Sequence, residues 1–261
     1  MKFIYWNTNN ITELLQIIDI CNSEKPDIFF LSEIDESKLE DETELLDQND
    51  YVYFSNPGSS RVSIIVKKGL DIELGLQNKY YTNVRLPDLD LDVISLHLPS
   101  QMFQHFDALK EFIRDVRKDI DLNIGIPDEK RILLIGDFNV SPFDKPMIDF
   151  DGFSATNSVN SRERITHLGK NKALYYNPTW KLYSNSSFPG TKYFRRPSGS
   201  SYDILEHHFL DQVVISTKLS RELKDEEIKV IEKSPSYTYY NLNSNVILES
   251  DHLPLSYKIS L

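Results

Sequence analysis

Apolar and polar positions in this chain follow two periods, and the switches between them mark out strands and helices. Residues 2–6 and 27–33, with Phe3-Ile4-Tyr5-Trp6 and Ile28-Phe29-Phe30-Leu31, are short continuous apolar runs, the pattern of strands buried on both faces. Between them Ile11, Leu14, Leu15, Ile18 and Cys21 recur at helical spacing. Asn10 with Glu13 three residues on predicts a capping box at the helix start. Five runs follow, 51–55, 61–67, 71–76, 80–86 and 91–98, separated by turn signals such as Asn56-Pro57-Gly58 and Pro87-Asp88; their succession predicts a meander. Met102, Phe103, Phe106, Leu109, Phe112, Ile113, Val116 and Ile120 predict a second helix over about residues 101–120. Further strands are expected at 131–136, 210–216 and 255–259. Helices interspersed with hairpin-connected strands predict an α/β fold of two packed sheets with helices outside. No repeat, low-complexity tract or linker-like shift in composition divides the chain, so a single domain over residues 1–261 is expected.

Composition adds a core and removes some settings. With 261 residues, 40% of them hydrophobic, the chain can bury a substantial interior. The apolar runs fall well short of the roughly 20 residues of a membrane span. Only Met1 and Lys2 precede the first strand, leaving no space for a secretory leader, and the single cysteine, Cys21, can form no intrachain disulfide. A cytoplasmic protein with no membrane partner is expected. Cys21 follows Ile17, Ile18 and Ile20 and is read as core. The net charge of −11 argues against a generic nucleic-acid coat, but residues 161–200 carry eight basic residues against one acid, Glu163. An asymmetry of this size marks a candidate surface for a polyanion.

The candidate chemistry sits where apolar strands end, because a strand end is rigid yet opens to the surface. Trp6-Asn7, Ser32-Glu33, Leu96-His97, Gly136-Asp137-Phe138-Asn139, Leu210-Asp211 and Ser250-Asp251-His252 all lie at such places. Carboxylate and amide oxygens suit Mg²⁺, which takes a few carboxylates together with waters and substrate oxygens. An Asp can receive a proton from water, and an Asp–His pair can hold an imidazolium against a phosphoryl oxygen. No Cys/His cluster at zinc spacing competes. Singly, each residue has an ordinary explanation: Asn7 as a turn former, Glu33 as a charge at a helix start, His97 as a satisfied core histidine. His105, His167, His207 and His208 are read as surface or loop residues, with His208 the first exception to consider.

In this order, from residue 6 to residue 255, these motifs resemble those of the endonuclease/exonuclease/phosphatase superfamily, the DNase I-like proteins. The resemblance takes in Leu133-Leu134-Ile135 before Gly136, Gln212-Val213-Val214-Ile215-Ser216 after Asp211, and Leu253-Pro254-Leu255 after His252. It implies a four-layered α/β sandwich with the site at the top of both sheets. It also implies Glu33 as principal metal ligand with Asn7 and Asp251, Mg²⁺ as cofactor with Mn²⁺ as substitute, and Asp137 as the residue that orients or deprotonates the attacking water. Asn139 would hold that water or the phosphate. His97 would donate to a phosphoryl oxygen, and His252, paired with Asp211, would stabilise charge and protonate the leaving group. Ser32 departs from the glutamine of many members.

Substrate-reading loops of that superfamily fall where this chain carries its basic segment, interleaved with Tyr175, Tyr176, Trp180, Tyr183, Phe188, Tyr193 and Phe194. Cations beside aromatics suit a phosphate backbone with stacked bases, so Lys192, Tyr193, Arg195 and Arg196 are candidate substrate contacts. A metal-dependent nuclease acting on DNA or RNA is the first expectation. A phosphatase of a small phosphorylated metabolite or lipid headgroup is the second, although Ser201-Tyr202-Asp203-Ile204 stands where an inositol-polyphosphate phosphatase would carry Trp-Cys-Asp-Arg. A nuclease-like effector subunit working with a protein partner, met through the acidic bulk of the molecule, is the third.

Overall fold

The computed structural model describes residues 1–10, 13–100, 106–159, 162–184, 190–193, 207–241, 246–248 and 250–261. The chain opens with β1 (Lys2–Asn7), α1 (Leu14–Glu24) and β2 (Ile28–Ser32), then α2 (Glu36–Asp41) and α3 (Thr43–Gln48). Strands β3 (Tyr51–Phe54), β4 (Ser63–Lys67), β5 (Glu73–Asn78), β6 (Tyr81–Leu86) and β7 (Leu91–His97) lead to α4 (Phe106–Asn123), β8 (Arg131–Asp137) and α5 (Lys145–Ile148). Short strands β9 (Ala155–Thr156), β10 (Arg164–His167), β11 (Lys170–Ala173), β12 (Tyr175–Tyr176), β13 (Lys192–Tyr193) and β14 (His207–His208) come next. The chain closes with β15 (Asp211–Ser216), α6 (Thr217–Glu222), β16 (Asp225–Val230), β17 (Tyr240–Asn241), β18 (Val246–Ile247) and β19 (Leu255–Ser260).

Two sheets stack face to face. The first runs β16-β19-β1-β2-β4-β3 and the second β5-β6-β7-β8-β15-β12-β9. Alternation along each strand decides the layers. Phe3, Tyr5 and Phe30 point inward to meet Val93, Leu133, Ile135 and Val213 of the second sheet. Ile4, Trp6 and Phe29 point outward onto Ile17, Ile20 and Cys21 of α1, and Ile94 and Leu134 onto Leu109, Ile113 and Ile120 of α4. The result is the expected four-layered α/β sandwich.

Connectivity sends the polar strand ends to one place. β1 and β2 are parallel across α1, and β7 and β8 are parallel across α4, so Asn7, Ser32, His97 and Asp137 all finish on the same edge of their sheets. β15 and β19 run antiparallel to β8 and β1. They therefore begin where the parallel strands end, which returns Asp211 opposite Asp137 and puts Asp251-His252 just ahead of β19.

Several expectations are corrected. The meander over 51–98 is divided: β3 and β4 extend the first sheet from β2, while β5, β6 and β7 form a hairpin series in the second. Asn10 does not cap α1. It takes a left-handed φ of 56° and donates to the Glu33 carbonyl at 2.7 Å, and Glu13 is the cap, with Gln16 closing the box. Ile17 is buried in the α1 face, whereas Leu15 is 53% exposed; Ile11 lies outside the described residues. The second helix runs to Asn123, and the 101–105 part of its expected range, with His105, lies outside the described residues. Charged β16 (Asp225-Glu226-Glu227) escapes the apolar pattern because it is an edge strand. His207 is buried in β14 rather than at the surface. Cys21 is core, as expected.

Candidate active site

Each predicted strand-end residue arrives in the cleft through a local reason. Gly136 has φ 154°, and a Cβ there would fall 2.0 Å from the Leu96 carbonyl oxygen, so β7 and β8 can adjoin at this point only with glycine. Asn139 takes φ 53°, a conformation asparagine tolerates, and so turns back on Asp137. Its backbone N–H donates to Asp137 Oδ1 at 2.8 Å and its side-chain amide to Oδ2 at 3.1 Å. Glu33 also sits at left-handed φ, 51°, an unfavourable conformation for glutamate that neighbours must hold. Thr8 Oγ1 and the Asn10 N–H both donate to its carbonyl, at 2.6 and 2.7 Å. The 250–252 turn is fastened to the end of β1: Ser250 Oγ donates to the Asn7 carbonyl at 2.7 Å, and Trp6 Nε1 to the His252 carbonyl at 3.1 Å.

Around this frame the side chains converge. Asn7 Nδ2 donates to Glu33 Oε1 at 3.1 Å. His97 Nε2 lies 3.4 Å from Glu33 Oε1 and 3.9 Å from Asp137 Oδ2. His252 Nδ1 meets Asp211 Oδ2 at 2.8 Å. Asp137, Asp211 and His252 are all buried and place ligand-capable atoms within 4.8 Å of one another, close enough to hold an ion. Thr191 Oγ1 steadies Asp211 by accepting its N–H at 3.1 Å. Beneath them the Tyr5 and Ser32 hydroxyls, both buried, are 2.7 Å apart.

The sequence model of the Endonuclease/Exonuclease/phosphatase family matches residues 4–219. The chain belongs to that family. No curated protein sequence matches it. Among solved structures, zebrafish (D. rerio) TDP2 complexed with single strand DNA product is similar at TM-score 0.61 and 15% identity, over 100% of this chain and 99% of that one. An AP endonuclease from Archaeoglobus fulgidus follows at 0.58 and 15%, each chain fully covered. TDP2 from C. elegans gives 0.57 and 18%, over 100% of this chain and 75% of its own. At such identities these neighbours speak for the DNase I-like fold alone. Asp251 and His252 lie beyond the family match, and the return of β19 brings them back to it.

The electrostatics of this endonuclease/exonuclease/phosphatase site separate its ionisable groups. Burial lowers the His97 pKa to about 4; the Asp137 charge works against that, and Arg61, His252 and Lys192 add to it. Burial raises Asp137, and the charge of Asp211 reinforces it against His252, His97 and the Asn139 N–H. Burial disfavours the His252 imidazolium, yet the charge and hydrogen bond of Asp211, with the charge of Asp137, raise its pKa. The cleft can therefore hold a neutral His97, a proton-accepting Asp137 and a charged His252 together. Asp211 Oδ1 and His97 Nδ1 are buried with no hydrogen-bond partner among the described residues, unused capacity that a ligand can meet.

A divalent cation fits the mouth of this cleft by its donor chemistry. Glu33 and Asp251 offer carboxylate oxygens with 35% and 38% of their side chains exposed, and Asn7 an amide. Among the described residues no lysine or arginine pairs with Glu33. Asp251, by contrast, pairs with Lys192 Nζ.

The basic segment is opposed in part: among the described residues Arg162 and Lys170 have no carboxylate partner, but its other cations are engaged. Arg164 pairs with Asp128 and Glu129, Lys181 with Glu226 at 2.7 Å, and Lys192 with Asp251. Lys172, half-buried, donates to the carbonyls of Phe150 and Gly152. Acids distant in sequence supply the opposition. Tyr175 and Tyr176 belong to the core, and Trp180 and Tyr183 pack with Phe143 and Phe209. Of the candidate substrate contacts, Lys192 and Tyr193 do reach the site, through a bridge from Lys192 to His252 and a 2.9 Å bond from the Tyr193 N–H to the Asp251 carbonyl. Arg195 and Arg196, with Phe188 and Phe194, lie outside the described residues.

Proposed function

We propose that this chain is a cytoplasmic, single-domain, Mg²⁺-dependent phosphodiesterase that cleaves nucleic acid, with Mn²⁺ able to replace Mg²⁺. The observation that carries the reading is the meeting, at one cleft, of the partly exposed carboxylate of Glu33 with the buried Asp137, Asp211 and His252. Glu33, Asn7 and Asp251 would hold the ion, which when bound supplies neutralising charge at the phosphoryl oxygens. Asp137, aimed by the two Asn139 bonds, takes the proton of the attacking water. Asn139 keeps the carboxylate, and through it the water, in line. Neutral His97 donates its one N–H to a phosphoryl oxygen. His252, kept protonated by Asp211, stabilises charge on the phosphate and protonates the leaving oxygen. Nucleic acid is favoured over a metabolite by the cations flanking the cleft, Lys192 beside His252 and Arg61 within range of His97, and is in keeping with the single strand DNA product bound to zebrafish TDP2.

The test is a screen of purified protein against single-stranded DNA, duplex DNA, RNA and a panel of phosphomonoesters, with Mg²⁺, Mn²⁺ or chelator, and with Asp137→Ala alongside. Oligonucleotide cleavage that needs the metal and is lost in Asp137→Ala is expected. Release of phosphate from small monoesters alone would move the assignment to a phosphatase. Inactivity of the isolated chain on every substrate would move it to a subunit that requires a partner.

A further inference from the structure

Arg61 lies just ahead of β4, on the first sheet's side of the cleft, yet its guanidinium carbon sits 4.9 Å from the ring centroid of Tyr80, in the turn that leads into β6 of the second sheet. Lys79 Nζ lies 5.4 Å from the same centroid. Tyr80 is itself fixed: Phe112 of α4 packs edge-on at 4.7 Å, and the Tyr80 carbonyl accepts the His97 N–H at 2.8 Å. This places Arg61 beside the strand end that carries His97, near enough for its charge to act on that ring.

Arg61 differs from most arginines of the chain in its company; Arg162, exposed ahead of β10, is the other described arginine with no carboxylate partner. Arg85, Arg114, Arg117, Arg131, Arg164 and Arg221 each have a carboxylate within reach. Among the described residues no carboxylate pairs with Arg61, in a chain whose acids outnumber its bases by 11. A cation left unneutralised beside a hydrolytic cleft, oriented by an aromatic ring rather than by an acid, keeps its forked N–H donors available for a planar or tetrahedral anion. Lys192 stands on the other flank, beside His252.

We propose that Arg61, seated on Tyr80, binds a backbone phosphate of the nucleic acid next to the scissile one, on the His97 side of the cleft. The assignment rests on the nucleic-acid reading above and gives it a direction: the strand crosses the site from Lys192 and His252 to His97 and Arg61. Tyr80 is a positioning residue that keeps the guanidinium over the cleft.

The test compares Arg61→Ala with the wild type on a short single-stranded oligonucleotide and on bis(p-nitrophenyl) phosphate, a diester too small to reach a neighbouring subsite. On the oligonucleotide kcat/KM is expected to fall by about 10–100-fold, mostly through KM, as loss of a charge-assisted contact implies. The loss on the small diester is expected to be several-fold smaller. The slope of log(kcat/KM) against log salt is expected to decrease by about 0.7, one phosphate contact to a single strand. Arg61→Lys should recover part of both effects, and Tyr80→Leu should reproduce part of the KM rise. Arg85→Ala, which removes the same charge at the far end of β6, serves as the control and should match the wild type. Wild-type efficiency and salt slope in Arg61→Ala would overturn this assignment alone, as would equal losses on both substrates. An enzyme active on the small diester but on no oligonucleotide would overturn the nucleic-acid reading with it.

Discussion

Carboxylates reach the cleft from both sheets but meet different surroundings: Glu33, at the end of the first, leaves 35% of its side chain exposed, whereas Asp137 and Asp211 of the second leave 3% and none. An open carboxylate stays in contact with water and can exchange that water for a hydrated ion. Burial, with the charge of Asp211 beside it, makes sealed Asp137 hold its proton more tightly. The difference teaches that one short stretch of sheet edge can present carboxylates in two settings, open and sealed, by depth alone, and the proposed roles divide along that line.

Asp137→Asn breaks the sealed half most directly. Loss of kcat by about 10²–10⁴-fold is expected, while the thermal midpoint should hold or rise, because a buried carboxyl beside Asp211 is costly to charge. A matching fall in stability would show that Asp137 serves the fold. Asp211→Asn should cost about 10²-fold and change the pH profile in a definite direction. With its partner gone, the raised pKa of His252 falls, so the alkaline limb of kcat moves to lower pH; an unmoved limb would detach it from His252. At the open half, Glu33→Gln should raise the Mg²⁺ needed for half-saturation by roughly 10–100-fold or more, seen equally by calorimetric titration of Mg²⁺ and by rate. Unchanged ion affinity would place the ion among Asp137, Asp211 and His252 instead.

The smallest effect lies at the other end of β1. There burial opposes the charge of Glu24, but hydrogen bonds and charges from Lys2 and Lys229 outweigh it and lower its pKa. Its stabilisation is complete above the unfolded value of about 4.3 and lost as pH falls through the depressed folded one. Glu24→Gln should therefore cost about 1 kcal/mol at pH 7, with the gap to wild type closing in acid and kcat unaffected. An effect on kcat would show that the two ends of the strand are coupled.

Much of this was legible in the sequence because strand ends are local events. The apolar runs before Asn7, Glu33, His97 and Asp137 state where each strand stops, and the family resemblance joined those places into one site. Sheet membership was not legible: nothing local tells the 63–67 run to pair with β2 while the 73–78 run starts in the other sheet. Charge balance failed for the same reason. Arg164 and Lys181 are opposed by Asp128 and Glu226, 36 and 45 positions away, which a count over 161–200 cannot include. Arg61 gave no signal, since its meaning depends on Tyr80 across the cleft. Thr8 also passed unseen, and Ser250 entered only as part of a motif, because fastening a loop from below leaves no periodic trace.

The position of β19 has a consequence for biosynthesis. It inserts between β16 and β1, so that β1 gains this neighbour only from a strand made long after it. Until the ribosome has delivered that stretch, β1 keeps a bare apolar edge of the kind that invites aggregation or a holding chaperone. His252 is carried just upstream of β19, so the proposed site is likewise complete only late in synthesis.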